Sequence, residues 1–232
     1  MKMPILLSYL FFSATVTYAQ TVADNFSTNG FAEAYDIKGK PFTARNMDDI
    51  EGTPMLNDSW EKGQVKFMSG PQLTVPELQF NLFTNQLYFR KDNIVYFFGD
   101  PISEFKYQYH DEAGNELAFF RNGYPDNGGK TISTFYRVMA DGNNLHLLKY
   151  SYKIVRENYV YNGSQKKIYA QMDEWYAYDV KKTAFIKLKM ELKYLVKVLP
   201  EYADTINKFA AEKKYNLRKE TEIAELFGTL NK

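Results

Sequence analysis

The stretch Glu77-Leu78-Gln79-Phe80-Asn81-Leu82 decides the fold class. Apolar and polar side chains alternate strictly across it, and only a strand turns its side chains to opposite faces at every residue. The pattern predicts a half-buried strand. Leu78, Phe80 and Leu82 face a core, while Glu77, Gln79 and Asn81 face solvent or an edge. Working outward, Gln64-Val65-Lys66-Phe67 alternates before the turn Ser69-Gly70-Pro71. Residues 87–90 and 94–98 flank Lys91-Asp92-Asn93, a tight hairpin. Residues 104–109 and 116–121 flank a second turn at Asp111-Glu112-Ala113-Gly114-Asn115. Residues 135–139 and 145–155 flank a third at Asp141-Gly142-Asn143. Residues 168–180 and 184–188 complete the series. Short strands at this spacing predict an antiparallel, curved β-meander over residues 20–188, as a half-barrel, a sandwich or one strongly curved sheet.

The period then changes. Leu188, Leu192, Leu195 and Leu199 recur at steps of four, three and four, which puts them on one helix face. Pro200 stops that helix or opens the next. Ala203, Ile206 and Ala210 keep helical spacing, and Ile223, Leu226, Phe227 and Leu230 mark a last helix. The expected class is therefore α+β, with a short C-terminal helical segment over residues 189–232 packed on or beside the sheet.

The N-terminus carries an address. Met1-Lys2-Met3 supplies a positive charge, residues 5–16 are mostly apolar, and Thr17-Tyr18-Ala19 places small residues at −3 and −1 of a cleavage site. This is the layout of a secretory signal peptide over residues 1–19, with the mature chain starting near Gln20. The apolar run is shorter than the ~20 residues a spanning helix needs, and no later segment is long and apolar enough. An exported, periplasmic or extracellular protein without a transmembrane segment is expected.

Composition narrows the chemistry. The chain has 232 residues, with 29 Lys and Arg against 28 Asp and Glu, so no global charge recommends nucleic acid as a partner. Cysteine is absent, which excludes a disulfide scaffold, a thiolate metal site, a cysteine nucleophile and an acylated N-terminal cysteine. Nineteen Tyr and 18 Phe favour strands. No G-x-S-x-G, H-E-x-x-H, Walker A, G-x-G-x-x-G or EF-hand pattern occurs, so no cofactor or metal is called for. Of the two histidines, His110 sits beside Asp111 and Glu112 at a turn, and His146 reads as an ordinary strand position.

The candidate site lies on the strand over 168–180. Met172, Glu174, Tyr176 and Tyr178 share one face, with Ile168 and Ala170 on the same side. A carboxyl among apolar neighbours has a raised pKa and suits general-acid work or a polar handle in a ligand cavity. Against this stands a purely structural pairing of Glu174 with a lysine or a tyrosine hydroxyl. Trp175 and Tyr169 fall on the opposite face. Asp173-Glu174 is the acid pair on which a carbohydrate-active hydrolase would draw. Between 181 and 219 basic residues outnumber acids, which reads as a solvated helix face.

The most distinctive string is Gly52-Thr53-Pro54-Met55-Leu56-Asn57-Asp58-Ser59-Trp60-Glu61-Lys62-Gly63-Gln64-Val65. With the segment after it, this string resembles a family of uncharacterised secreted proteins of Bacteroidota, in which such an opening leads into a β-meander and Lys-rich helices end the chain. The resemblance implies a cell-envelope setting and carries no activity. Physically, Trp60 anchors the first hairpin and Gly63 permits a turn or bulge. The expected function is a non-enzymatic envelope protein that binds a small apolar or lipid-like ligand or another envelope component. The alternatives are the hydrolase and a purely structural or interaction protein.

Overall fold

The computed structural model describes residues 31–33, 50–111, 114–159 and 165–232. The signal-peptide reading and most of the lead-in fall outside the described residues, as does the side chain of His110. The strands are β1 (Phe31–Glu33), β2 (Ile50–Glu51), β3 (Glu61–Phe67), β4 (Gln72–Asn81), β5 (Gln86–Lys91), β6 (Ile94–Phe98), β7 (Ile102–Asp111), β8 (Gly114–Arg121), β9 (Tyr136–Ala140), β10 (Leu145–Tyr159), β11 (Gln165–Asp179) and β12 (Ala184–Leu188). Helices α1 (Leu192–Val198), α2 (Ala203–Lys213) and α3 (Glu220–Leu230) follow, with a 3₁₀ turn at Pro200–Tyr202 between the first two. The class is α+β, with a curved, open, antiparallel-dominated sheet and three short helices near the C-terminus.

All twelve strands join one sheet in the order β1-β6-β5-β4-β3-β7-β8-β9-β10-β11-β12, with β2 beside β11 in the one parallel pairing among the described residues. Two meanders, β3 to β6 and β7 to β12, are therefore joined by a jump, because β7 pairs with β3 and not with β6. Only Gly99-Asp100-Pro101 link β6 to β7. Four inter-strand steps of a flat sheet span roughly 19 Å, while the backbone from Phe98 to Ile102 reaches at most about 14 Å. The sheet must curl here. Phe67 of β3 and Phe98 of β6 accordingly meet inside the curl, ring centroids 6.1 Å apart. The Lys153 N–H of β10 donates to the Leu82 carbonyl just past β4, at 3.2 Å.

Turn chemistry sets the hairpins. Asp92 and Asn93 both hold positive φ, 51° and 63°, as a two-residue primed turn between β5 and β6 requires. Gly63 sits at a register shift between β3 and β4. A Cβ there would collide with the Lys106 carbonyl of β7, so its role is close strand approach.

The curl encloses an aromatic core. Phe80 packs against Phe105, Phe120 and Phe135 with centroids 5.1, 5.1 and 6.0 Å away. Leu78, Phe80 and Leu82 are buried as the alternation predicts. Gln79 and Asn81, expected at solvent or an edge, are buried too. The loop over 52–60 pairs along the strand here, Leu56 N–H donating to the Phe80 carbonyl at 2.8 Å and Leu82 N–H to the Pro54 carbonyl at 3.0 Å, and it satisfies Gln79. Its Nε2 donates to the carbonyls of Asn57 and Asp58, while Asn81 Oδ1 accepts the N–H groups of Phe83 and Thr84.

The other half of the sheet is backed by the helices. Leu195, Ile206, Leu217, Leu226 and Phe227 pack with Leu145, Leu147, Trp175, Ala177 and Leu188 in a second, largely aliphatic core. Asn231 clamps the end of α3 to β10: Oδ1 accepts the N–H groups of Asn144 and Leu145 at 3.0 and 2.9 Å, and Nδ2 donates to the Leu145 and Phe227 carbonyls.

Candidate functional site

The face of β9–β12 turned away from the helices carries Met172, Glu174, Tyr176 and Tyr178, as strand parity predicts. Trp175 and Ala177 of the same strand belong to the helix-side core. Tyr124, Tyr136, Val138, Leu148 and Tyr176 form a third cluster on this face, flanked by Tyr150, Tyr178 and Phe185. Met172 lies at its margin, where Sδ accepts a hydrogen bond from Arg156 at 3.1 Å.

Glu174 is fully partnered. One carboxylate oxygen meets Lys130 Nζ at 2.7 Å and accepts the Tyr176 hydroxyl at 2.8 Å; the other accepts from Lys187 at 2.9 Å. Burial alone would raise its pKa, but the hydrogen bonds from Lys130, Lys187 and Tyr176 and the charge of Lys130 hold it down at about 2. The raised pKa expected from an apolar setting is thus reversed. The lysines that reverse it come from the loop before β9 and from β12, which a reading of one strand does not contain. Asp173, its neighbour, points to the helix side and pairs with Lys149 at 3.2 Å, so the two acids do not converge.

A second constellation joins the loop after β8 to β10. Tyr124 O–H lies 3.0 Å from His146 Nδ1, His146 Nε2 lies 3.2 Å from Asp141, and Arg121 grips Asp141 through two hydrogen bonds of 2.9 and 2.7 Å. The order hydroxyl–imidazole–carboxylate is that of a nucleophilic triad. Burial pushes Tyr124 up to about 12 and holds His146 below its usual value. Arg121 on Asp141 and Tyr124 on His146 tie β8, the loop after it and the start of β10 together. The chain braces the loop against β10, and His146 is more than an ordinary strand residue.

A separate cleft lies at one end of the curled half. It is an open cleft of about 350 Å³, with Leu87, Phe97, Phe98, Ile102 and Phe135 on its apolar side, Asn85, Gln86, Asp100, Asn122 and Ser133 on its polar side, and Met68 at its rim. Met68 and Phe97 are 53% and 38% exposed, unusual for such side chains beside a concavity. No protein-family model, curated protein or solved structure matches this chain. The cleft's frame is fixed by hydrogen bonds. The Phe135 N–H donates to Asn85 Oδ1 at 2.9 Å, Met68 N–H to the Pro101 carbonyl at 2.9 Å, and Asn122 Nδ2 to the Ile102 carbonyl at 2.8 Å. Burial at 8% exposure gives Asn122 a scaffolding place between β7 and β8.

Sequence reasoning missed this cleft, although one signal was present. Phe97 and Phe98 are adjacent in a strand, so one ring must leave the core face. The Gly99-Asp100-Pro101 link that follows turns the chain directly beneath them.

Proposed function

We propose that this protein is a non-enzymatic, exported binding protein whose ligand is a small apolar molecule seated in the cleft between Phe97, Phe98, Ile102 and Phe135. The cleft itself carries the reading. About 350 Å³ falls at the lower end of the range for small-molecule sites, and the wall sets the phenyl rings and Ile102 beside the polar side chains of Asn85, Gln86 and Asp100. The frame is held by backbone and amide hydrogen bonds, so little ordering cost accompanies binding. The signal-peptide layout of residues 1–19 supports export, and the resemblance to secreted Bacteroidota proteins supports an envelope setting. The held-down pKa of Glu174 favours this reading over a hydrolase, whose general acid must keep its proton near neutrality.

Native mass spectrometry of protein isolated from the producing organism tests the proposal. The wild-type chain should carry a small apolar adduct, and Phe97→Asp should lose it while remaining folded. Wild-type protein free of adducts and unable to take up added apolar molecules would reject the reading.

A further inference from the structure

The ammonium group of Lys130 occupies a cage. It lies 4.8 Å from the Tyr150 ring centroid and 5.6 Å from that of Tyr176, and it meets the Glu174 carboxylate at 2.7 Å. Tyr152 stacks on Tyr150 at 5.2 Å, and Tyr136 closes the floor at 5.6 Å from Tyr150. The Tyr136 hydroxyl is buried with no hydrogen-bond partner among the described residues. Aromatic faces around a carboxylate are the chemistry that recognises ammonium ligands.

The cage exceeds what the loop requires. Lys130 ends a tight turn in which Asn127 and Lys130 exchange backbone hydrogen bonds of 2.9 and 3.1 Å, through Gly128 and Gly129 at φ 56° and 84°. The loop is independently closed by Gly123 N–H to the Ile132 carbonyl at 2.8 Å and by Asn85 on Phe135. Withdrawing Lys130 would not strand Glu174, because Lys187 and the Tyr176 hydroxyl remain on it. The site is also within reach of solvent, with the Lys130 and Glu174 side chains 13% and 20% exposed.

We infer that the Tyr150, Tyr176 and Glu174 cage is a binding site for an organic ammonium group, and that Lys130 is its tethered occupant, displaced when such a ligand binds. This site is separate from the apolar cleft, and its test does not touch the cleft.

The probes are choline and 3,3-dimethyl-1-butanol, which share shape and differ in charge. Binding is followed by the aromatic NMR signals of Tyr150 and Tyr176. In Lys130→Ala, choline should bind about tenfold more tightly than the neutral alcohol, and adding Glu174→Gln should remove that preference. Lys130→Met, which refills the cage with an uncharged chain, should bind neither. In the wild-type protein, a large excess of choline should shift the same ring signals while the alcohol leaves them unmoved. Equal or absent responses to the two probes in the wild type and in folded Lys130→Ala overturn the inference. Should Lys130→Ala fail to fold, the wild-type comparison alone decides.

Discussion

The curled half of the sheet and the helix-backed half solve the same burial problem differently. In the helix-backed half, α1, α2 and α3 seal the sheet, and Leu195, Ile206, Leu226 and Phe227 are completely buried. In the curled half no helix among the described residues covers the sheet, and β3 to β8 wrap around Phe80, Phe105, Phe120 and Phe135. A sheet can cover its own middle but not its ends. The end of the curl is where Met68 and Phe97 stay exposed and the cleft opens. The cleft follows from how each half is closed.

The largest effect expected is in the curled core. Phe80→Ala should cost roughly 3–5 kcal/mol in urea unfolding, since the ring is 1% exposed and packs on three other phenyl rings. A loss under about 1 kcal/mol, typical of surface positions, would mean that the curl does not hold the half together. On the helix-backed side, Asn231→Ala should cost roughly 2–3 kcal/mol, because the N–H groups of Asn144 and Leu145 lose their acceptor. Hydrogen exchange should report that loss first in α3. Equal loosening of β3 and β4 would break the division into two halves.

Next comes Glu174→Gln. The Glu174 carboxyl sits at about 2 in the folded protein against an ordinary 4.5. A depressed folded pKa stabilises the fold fully above the unfolded value, and the gain is lost as pH falls through the folded one. The substitution should cost about 1–2 kcal/mol at pH 7 after solvent screening, and wild type and variant should converge as pH falls from about 4.5 to 2. A constant gap across that window would contradict the ion-pair assignment. The smallest effect on stability belongs to Phe97→Asp, within about 0.5 kcal/mol for a half-exposed rim position, although it should abolish ligand retention.

The two halves also differed in how far the sequence disclosed them. Strand alternation around Phe80 and helical spacing at Leu192, Leu195, Ile206 and Leu226 are local periodicities, so both element types were legible. Leu188, read as the first step of that helix face, instead ends β12, and Leu199 caps α1 with non-helical backbone, because both leucines fill the shared core from outside the helix. The jump of β7 to β3 was not, because nothing in residues 102–111 encodes which edge they join. Gln79 and Asn81 read as facing solvent or an edge, and their burial escaped notice because the loop that pairs there lies some 20 residues upstream. Strand parity placed Glu174 with Met172, Tyr176 and Tyr178, but its charge state depends on Lys130 and Lys187, which arrive from other segments. The cleft draws on the ends of several strands, and only the Phe97-Phe98 doublet announced it.

The most direct test is a heteronuclear NMR titration of the wild-type protein with 1-octanol, a neutral apolar probe. Saturable shifts should concentrate at Phe97, Phe98, Ile102 and Phe135 while the amides of α1, α2 and α3 stay still. No saturable shift, or shifts as large at Leu195 and Leu226 as at Phe97, would contradict a binding site at the open end of the curl.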